Sequence, residues 1–182
     1  GANHLQNNLT KRIVLLITAL GAFMTPFMSS SVNVALPSIS KELGMSAVAL
    51  NWVALSYTLS TAVFTLPFGR AADILGRKKM MIWGVTMLTA VSALCGFALN
   101  PAMLITGRIL QGISGATISV NSVSILTSAY PSDERGKVLG LNVAMTYAGL
   151  STGPYLGGLL TTNLGWRSVF FCTVPVGIVL LA

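Results

Sequence analysis

Apolar residues gather in six stretches, over residues 13–36, 48–69, 80–99, 102–129, 138–161 and 168–182, and most of the charge collects in the links between them. Crossing the hydrocarbon of a bilayer takes about 20 mainly apolar residues in a helix. The first five stretches reach that length. The sixth carries no charge from Val169 to Ala182 and runs to the last residue of the sequence. The pattern predicts an all-α integral membrane bundle of six transmembrane helices over residues 13–182, after a polar tail at residues 1–12 that is expected to be disordered as far as Thr10. No stretch has the form of a cleavable leader.

Prolines punctuate the pattern. Pro37, Pro101 and Pro131 are expected at helix ends, where a missing backbone donor costs little. Pro26, Pro154 and Pro175 fall inside stretches and are expected to bend them. Trp52, Trp83 and Trp166 fall near predicted helix starts, at the interfacial level where Trp is enriched, with plain packing as the other reading. Polar positions are unevenly shared. Stretch 1 carries Thr18, Thr25, Ser29 and Asn33 on one helical face. Stretch 4 carries Arg108, Gln111, Gly115, Ser119 and Ser122 on one face, and Ser114, Thr117, Asn121, Ser124 and Ser128 on the other. A helix polar on two sides is unsuited to lipid, so helices 1 and 4 are expected inside the bundle and helices 3 and 6 outside. Ser31-Val32-Asn33 recurs as Ser119-Val120-Asn121, which agrees with two three-helix repeats.

Composition changes the picture in one respect. Only 8% of residues are charged and 53% are hydrophobic, against about 25% charged in a soluble domain. The net charge of +7 does not point to nucleic acid, because it is sorted rather than clustered. Eight of the eleven basic residues (Lys11, Arg12, Arg70, Arg77, Lys78, Lys79, Arg135 and Lys137) lie before helix 1 or in the 2–3 and 4–5 links. Lys41 and Arg167 lie on the other side. That asymmetry predicts a multi-pass protein of the cell (inner) membrane with both termini cytoplasmic. Cys95 and Cys172 fall in apolar stretches and are read as small core residues. His4 is read as inert, no metal-spaced cluster stands out, and the absence of a nucleophile with His and an acid argues against an enzyme.

Three segments carry candidate chemistry. Gly69-Arg70-Ala71-Ala72-Asp73-Ile74-Leu75-Gly76-Arg77-Lys78-Lys79 links helices 2 and 3, with glycines suited to a tight turn and close approach around one acid among bases. Arg108 stands about 10 Å into helix 4 at 1.5 Å per residue; an intramembrane charge suggests function by default. The alternative is an Arg that binds backbone carbonyls and orders the bundle. Gly149, Gly153 and Gly157 recur every four residues in helix 5 and strip one face for another helix, with Pro154 and Gly158 beside them.

The first segment resembles the signature loop of the major facilitator superfamily: a Gly, an Asp four residues on, then Gly-Arg-Lys. Arg108-x-x-Gln111-Gly112 resembles that family's helix 4 motif, and Gly149-x-x-x-Gly153-Pro154-x-x-Gly157-Gly158 its antiporter motif. The end of helix 1, Val32-Asn33-Val34-Ala35-Leu36-Pro37, and the start of helix 6, Trp166-Arg167-Ser168-Val169-Phe170-Phe171, are similar to the 14-helix drug/proton antiporters. The resemblance implies the amino-terminal six-helix half of a transporter working by alternating access. It implies a cytoplasmic gate at Gly69, Asp73, Gly76, Arg77 and Lys78, and proton coupling at Arg108 with Gln111. Thr25, Ser29, Asn33, Tyr57 and Asn121 are expected to line the cavity. One departure stands out: the family's usual acid in helix 1 is Met28 here, and all four acids (Glu42, Asp73, Asp133 and Glu134) lie in links.

Three functions remain open at this point: proton-coupled efflux of small amphipathic molecules, facilitated diffusion of a small solute, and a non-transporting half-domain. No cofactor is expected beyond the possibility of a coupled proton. The expected partners are lipid, a small-molecule substrate and a second six-helix half, which is either a carboxy-terminal continuation or a second copy in a parallel homodimer.

Overall fold

The structure is a computed structural model that describes the backbone of residues 2–182 and the side chains of residues 6–182, so the reading of His4 lies outside the described side chains. The described elements are α1 (Ala2–Leu43), α2 (Ala47–Leu75), α3 (Arg77–Gly96), α4 (Pro101–Ala129), α5 (Ser132–Leu164), α6 (Arg167–Phe171) and α7 (Thr173–Leu181). The last two are pieces of one rod, so the bundle has six rods. α1 to α4 are long and apolar enough to cross a membrane. α5 has the length, at 33 residues, but a charged first turn and its Gly, Thr and Asn content dilute its apolar character.

Local chemistry sets most of the ends. Ser46 and Asn100 cap α2 and α4, their side-chain oxygens accepting from the N–H of Ala49 and Met103 at 3.2 and 2.8 Å. Pro101 opens α4 as its sequence position suggests. Gly76 alone turns the chain from α2 into α3 at φ +99°, a backbone region that residues with a Cβ rarely enter.

Two expectations about α1 are corrected. The tail is helical from Ala2, because the helix that follows is anchored at its root. Tyr130 at the end of α4 donates to the Lys11 carbonyl at 2.8 Å, and the Lys11 ammonium lies 5.6 Å from the Tyr130 ring centre. Nor does Pro37 end the helix: α1 runs through Pro26 and Pro37 to Leu43. Pro175 acts more strongly than a bend. It lacks the N–H that would bond the Phe171 carbonyl, and the helix lapses at Cys172.

α4 is the hub, packed against α1, α2, α3 and α5, while α1 packs chiefly on α5. The expected inside position of helix 4 agrees with this, whereas α1, also expected inside, is less buried than α3. α3, expected outside, is half-buried between α4 and the broken sixth rod, and α2 is the most exposed of the four long spans. Trp166 is also corrected, from interfacial anchor to core: it is 2% exposed among Met28, Val32 and Phe170. Trp52 and Trp83 stay substantially exposed. Trp166 belongs to a clasp at the end of the bundle where α1 finishes. Its indole N–H donates to Glu42 Oε2 at 2.7 Å, and Arg167 donates to Glu42 Oε1 at 2.8 Å and to the carbonyls of Gly96 and Ala98 at 3.0 and 2.7 Å. One guanidinium thus ties α1, the end of α3 and α6 together.

Candidate functional site

The centre of the candidate site is Arg108, about two turns below the Asn100 cap of α4. Its side chain has no exposed surface. Nε donates to the Val53 carbonyl of α2 at 3.0 Å and Nη1 to Gln111 Oε1 at 3.0 Å, while Gln111 Nε2 donates to Ser92 Oγ of α3 at 3.0 Å. The guanidinium carbon lies 4.4 Å from the centre of the Tyr57 ring. Nη2 has no hydrogen-bond partner among the described residues. The cation is therefore held by carbonyl, amide and ring dipoles, with no carboxylate near it.

α2 comes this close because α4 lacks side chains where they meet. A Cβ on Gly112 would stand 2.5 Å from the Tyr57 carbonyl, and one on Gly115 would stand 2.9 Å from the Tyr57 hydroxyl. Thr61 closes the seam by donating to the Gly112 carbonyl at 3.1 Å. Arg108 and Gln111 lie inside the contacts of α2, α3 and α4, covered by the approach that the glycines permit.

The expected cavity residues divide. Asn33 is exposed and Ser29 half-buried on α1. Thr25 and Tyr57 are buried, joined by a hydrogen bond from the Tyr57 hydroxyl to the Thr25 carbonyl at 3.2 Å. Asn121 is wholly buried and donates back to Thr117 on its own helix at 2.7 Å.

The helix 5 motif also divides. Gly149, Gly153 and Gly157 face α1: a Cβ on Gly153 would stand 3.0 Å from the Phe27 carbonyl, and one on Gly157 would stand 2.8 Å from the Ser31 Cα. Ser30 and Ser31 of α1 donate to the carbonyls of Gly149 and Gly153 at 3.4 and 3.0 Å. Pro154 is exposed, and Gly158 has only Val34 near it, at 3.7 Å.

At the α2–α3 turn, Gly69 brings α2 against Val120 of α4, where a Cβ would stand 3.2 Å away. Arg77 bonds Asp73 at 3.3 Å and reaches α4 at the Ser124 carbonyl and Ser128 Oγ, at 3.2 and 2.7 Å. Asp73 stays 64% exposed, and Lys78 is exposed beside it.

Several contributors were not singled out from sequence: Ser92, Thr61, the Glu42–Trp166–Arg167 clasp, and Asn142, which donates to the Thr18 carbonyl at 3.4 Å. A groove of about 470 Å³ with a nearly wholly apolar lining, between α1, α5 and the sixth rod, was also unforeseen. Cys95 is buried and Cys172 partly so, both unpaired, and no cluster of metal-ligating side chains occurs among the described residues.

The family model described as Major Facilitator Superfamily matches residues 18–182. The chain belongs to that superfamily. That is a family of multi-pass membrane transporters, not of enzymes. The multidrug resistance protein Stp of Mycobacterium tuberculosis is 38% identical over 175 residues, covering 96% of this chain and 33% of that protein. The methylenomycin A resistance protein of Bacillus subtilis is 36% identical over 165 residues, covering 90% and 35%. The riboflavin transporter RibZ of Clostridioides difficile is 31% identical over 169 residues, covering 93% and 37%. The chain thus spans about a third of the length of these superfamily relatives.

Proposed function

We propose that this chain is the amino-terminal six-helix half of an exporter that moves small amphipathic molecules by proton antiport through alternating access. The observation that carries the reading is the α1–α5 seam. The glycines of the antiporter-type motif lock α5 onto α1, the helix whose Asn33 and Ser29 stand toward the surface. Relatives named for multidrug and methylenomycin A resistance support export. In this reading all six rods span the cell (inner) membrane with the basic links and both termini in the cytoplasm. Asp73, exposed at the α2–α3 turn, latches against a second six-helix half, whether a continuation of the chain or a second copy in a parallel homodimer.

The experiment is flux of a fluorescent cationic amphipath in proteoliposomes holding the full transporter, with and without a pH gradient. Arg108→Ala should abolish gradient-driven flux while the protein remains folded by circular dichroism. Gradient-driven flux at the wild-type rate in that variant would refute the coupling role. A second reading, facilitated diffusion, is favoured by the placement of all four acids in the end turns of helices, not in the links expected from sequence, with fully buried Met28 where the drug/proton antiporters carry an acid. Flux indifferent to the gradient would select it.

A further inference from the structure

The contacts of Arg108 leave one question that its hydrogen bonds do not answer. A guanidinium is a planar fork with five N–H donors. Val53 and Gln111 engage Nε and Nη1, at opposite edges of that fork, and Nη2 has no partner among the described residues although the side chain has no exposed surface. Two neutral acceptors leave Nη2 and much of the charge uncompensated, and no acid stands by to take it. What covers the plane is the face of Tyr57, 4.4 Å from the guanidinium carbon.

We propose that Tyr57 is the positioning residue for Arg108, its ring face holding the guanidinium and its hydroxyl tying that pair to the backbone of α1 at Thr25. Three helices meet in this arrangement. The cation comes from α4 and the ring from α2. The acceptor is the Thr25 carbonyl of α1, one residue before Pro26, which has no N–H of its own to offer α1's hydrogen-bond ladder. The space is reserved on α4 by Gly112 and Gly115, where a Cβ would press on the Tyr57 carbonyl and hydroxyl. Any displacement of α1 relative to α4 must therefore stretch the Tyr57–Thr25 bond or drag the ring across the guanidinium. Motion of the helix that presents Ser29 and Asn33 is in this way transmitted to the buried charge. The inference rests on the antiport reading for its consequence, and on geometry alone for the positioning.

The test uses the full transporter carrying this half, with two readouts. The first is the rate at which phenylglyoxal, an arginine-selective reagent, modifies Arg108, followed by mass spectrometry with exposed Arg70 as internal reference. The second is gradient-driven flux of ethidium, a cationic amphipath, in proteoliposomes. Removing the ring in Tyr57→Leu should raise Arg108 modification and lower flux, each by about tenfold, the scale of a desolvated cation–ring contact. Tyr57→Phe keeps the ring and should keep Arg108 as protected as in the wild type, with flux lowered only about threefold by loss of one hydrogen bond. If Tyr57→Leu fails to unfold cooperatively, Tyr57→Met, longer and more adaptable in shape, takes its place. Wild-type protection of Arg108 in the non-aromatic variant, or equal damage from Phe and Leu, overturns the proposal. Faster modification in Tyr57→Leu together with normal flux in Arg108→Ala upholds the positioning and removes the antiport role of Arg108.

Discussion

The α1–α5 and α2–α4 seams share a construction. In each, glycine removes a side chain so that two backbones approach, and a hydroxyl from the facing helix donates to the glycine's carbonyl: Ser30 and Ser31 to Gly149 and Gly153 in one, Thr61 to Gly112 in the other. They differ in what they enclose. The α1–α5 seam is neutral, with the amide of Asn142 as its most polar side chain. The α2–α4 seam wraps a guanidinium that meets no carboxylate. A buried ion held without a counter-charge loses more on leaving water than its neighbours return, so close packing alone gives no reason for Arg108. The neutral seam reads as a weld and the charged one as a working part.

That contrast fails or sharpens at particular positions. The largest expected effect is steric. Gly153→Leu must push α1 away from the Phe27 carbonyl and Ser30, and should destabilise the bundle by about 3 kcal/mol or more. Thermal unfolding in detergent measures this, with Gly158→Ala, where space is open, as the tolerated control. Equal damage at the two positions would mean that the seam is not where the motif acts.

Next comes the charge itself. Arg108→Met fills much the same volume with no charge to desolvate, and should leave stability unchanged or raise it by about 1–4 kcal/mol. Gradient-driven flux should nevertheless be lost. A marked fall in its melting temperature would make Arg108 a structural strut like the glycines.

The smallest effects belong to the hydroxyls. Ser31→Ala and Thr61→Val each remove one interhelical hydrogen bond and should cost about 0.6 kcal/mol. Their equality is the informative result. A Thr61 effect several times the Ser31 effect would show that the charged seam depends on each of its bonds in a way the neutral one does not.

The neutral seam was the more legible in the sequence. Gly149, Gly153 and Gly157 repeat at the helical period, and a period is a local property. The same holds for the turn at Gly76, the opening of α4 at Pro101 and the two polar faces of stretch 4, which placed that helix inside. The charged seam was only half legible. Arg108 announces itself by its depth, but nothing near it in the chain says that Tyr57, 51 residues earlier, would cover it. Nor does anything local say that Gly112 and Gly115 admit α2 over it. Glu42 and Arg167 are 125 residues apart, so their clasp leaves no local trace. Pro37 misled for a related reason: a proline favours a helix end only when neighbouring helices do not hold the helix straight through it.

The length of α1 has a mechanical corollary. Its 42 residues make a mast roughly 60 Å tall, about twice the depth of bilayer hydrocarbon. The mast is stepped at Lys11 by Tyr130 and stayed along its height by α5. In the alternating-access reading proposed above, the polar turns below Lys11 swing with any tilt of the bundle through the aqueous phase, turning a small rotation inside the membrane into a larger displacement outside it.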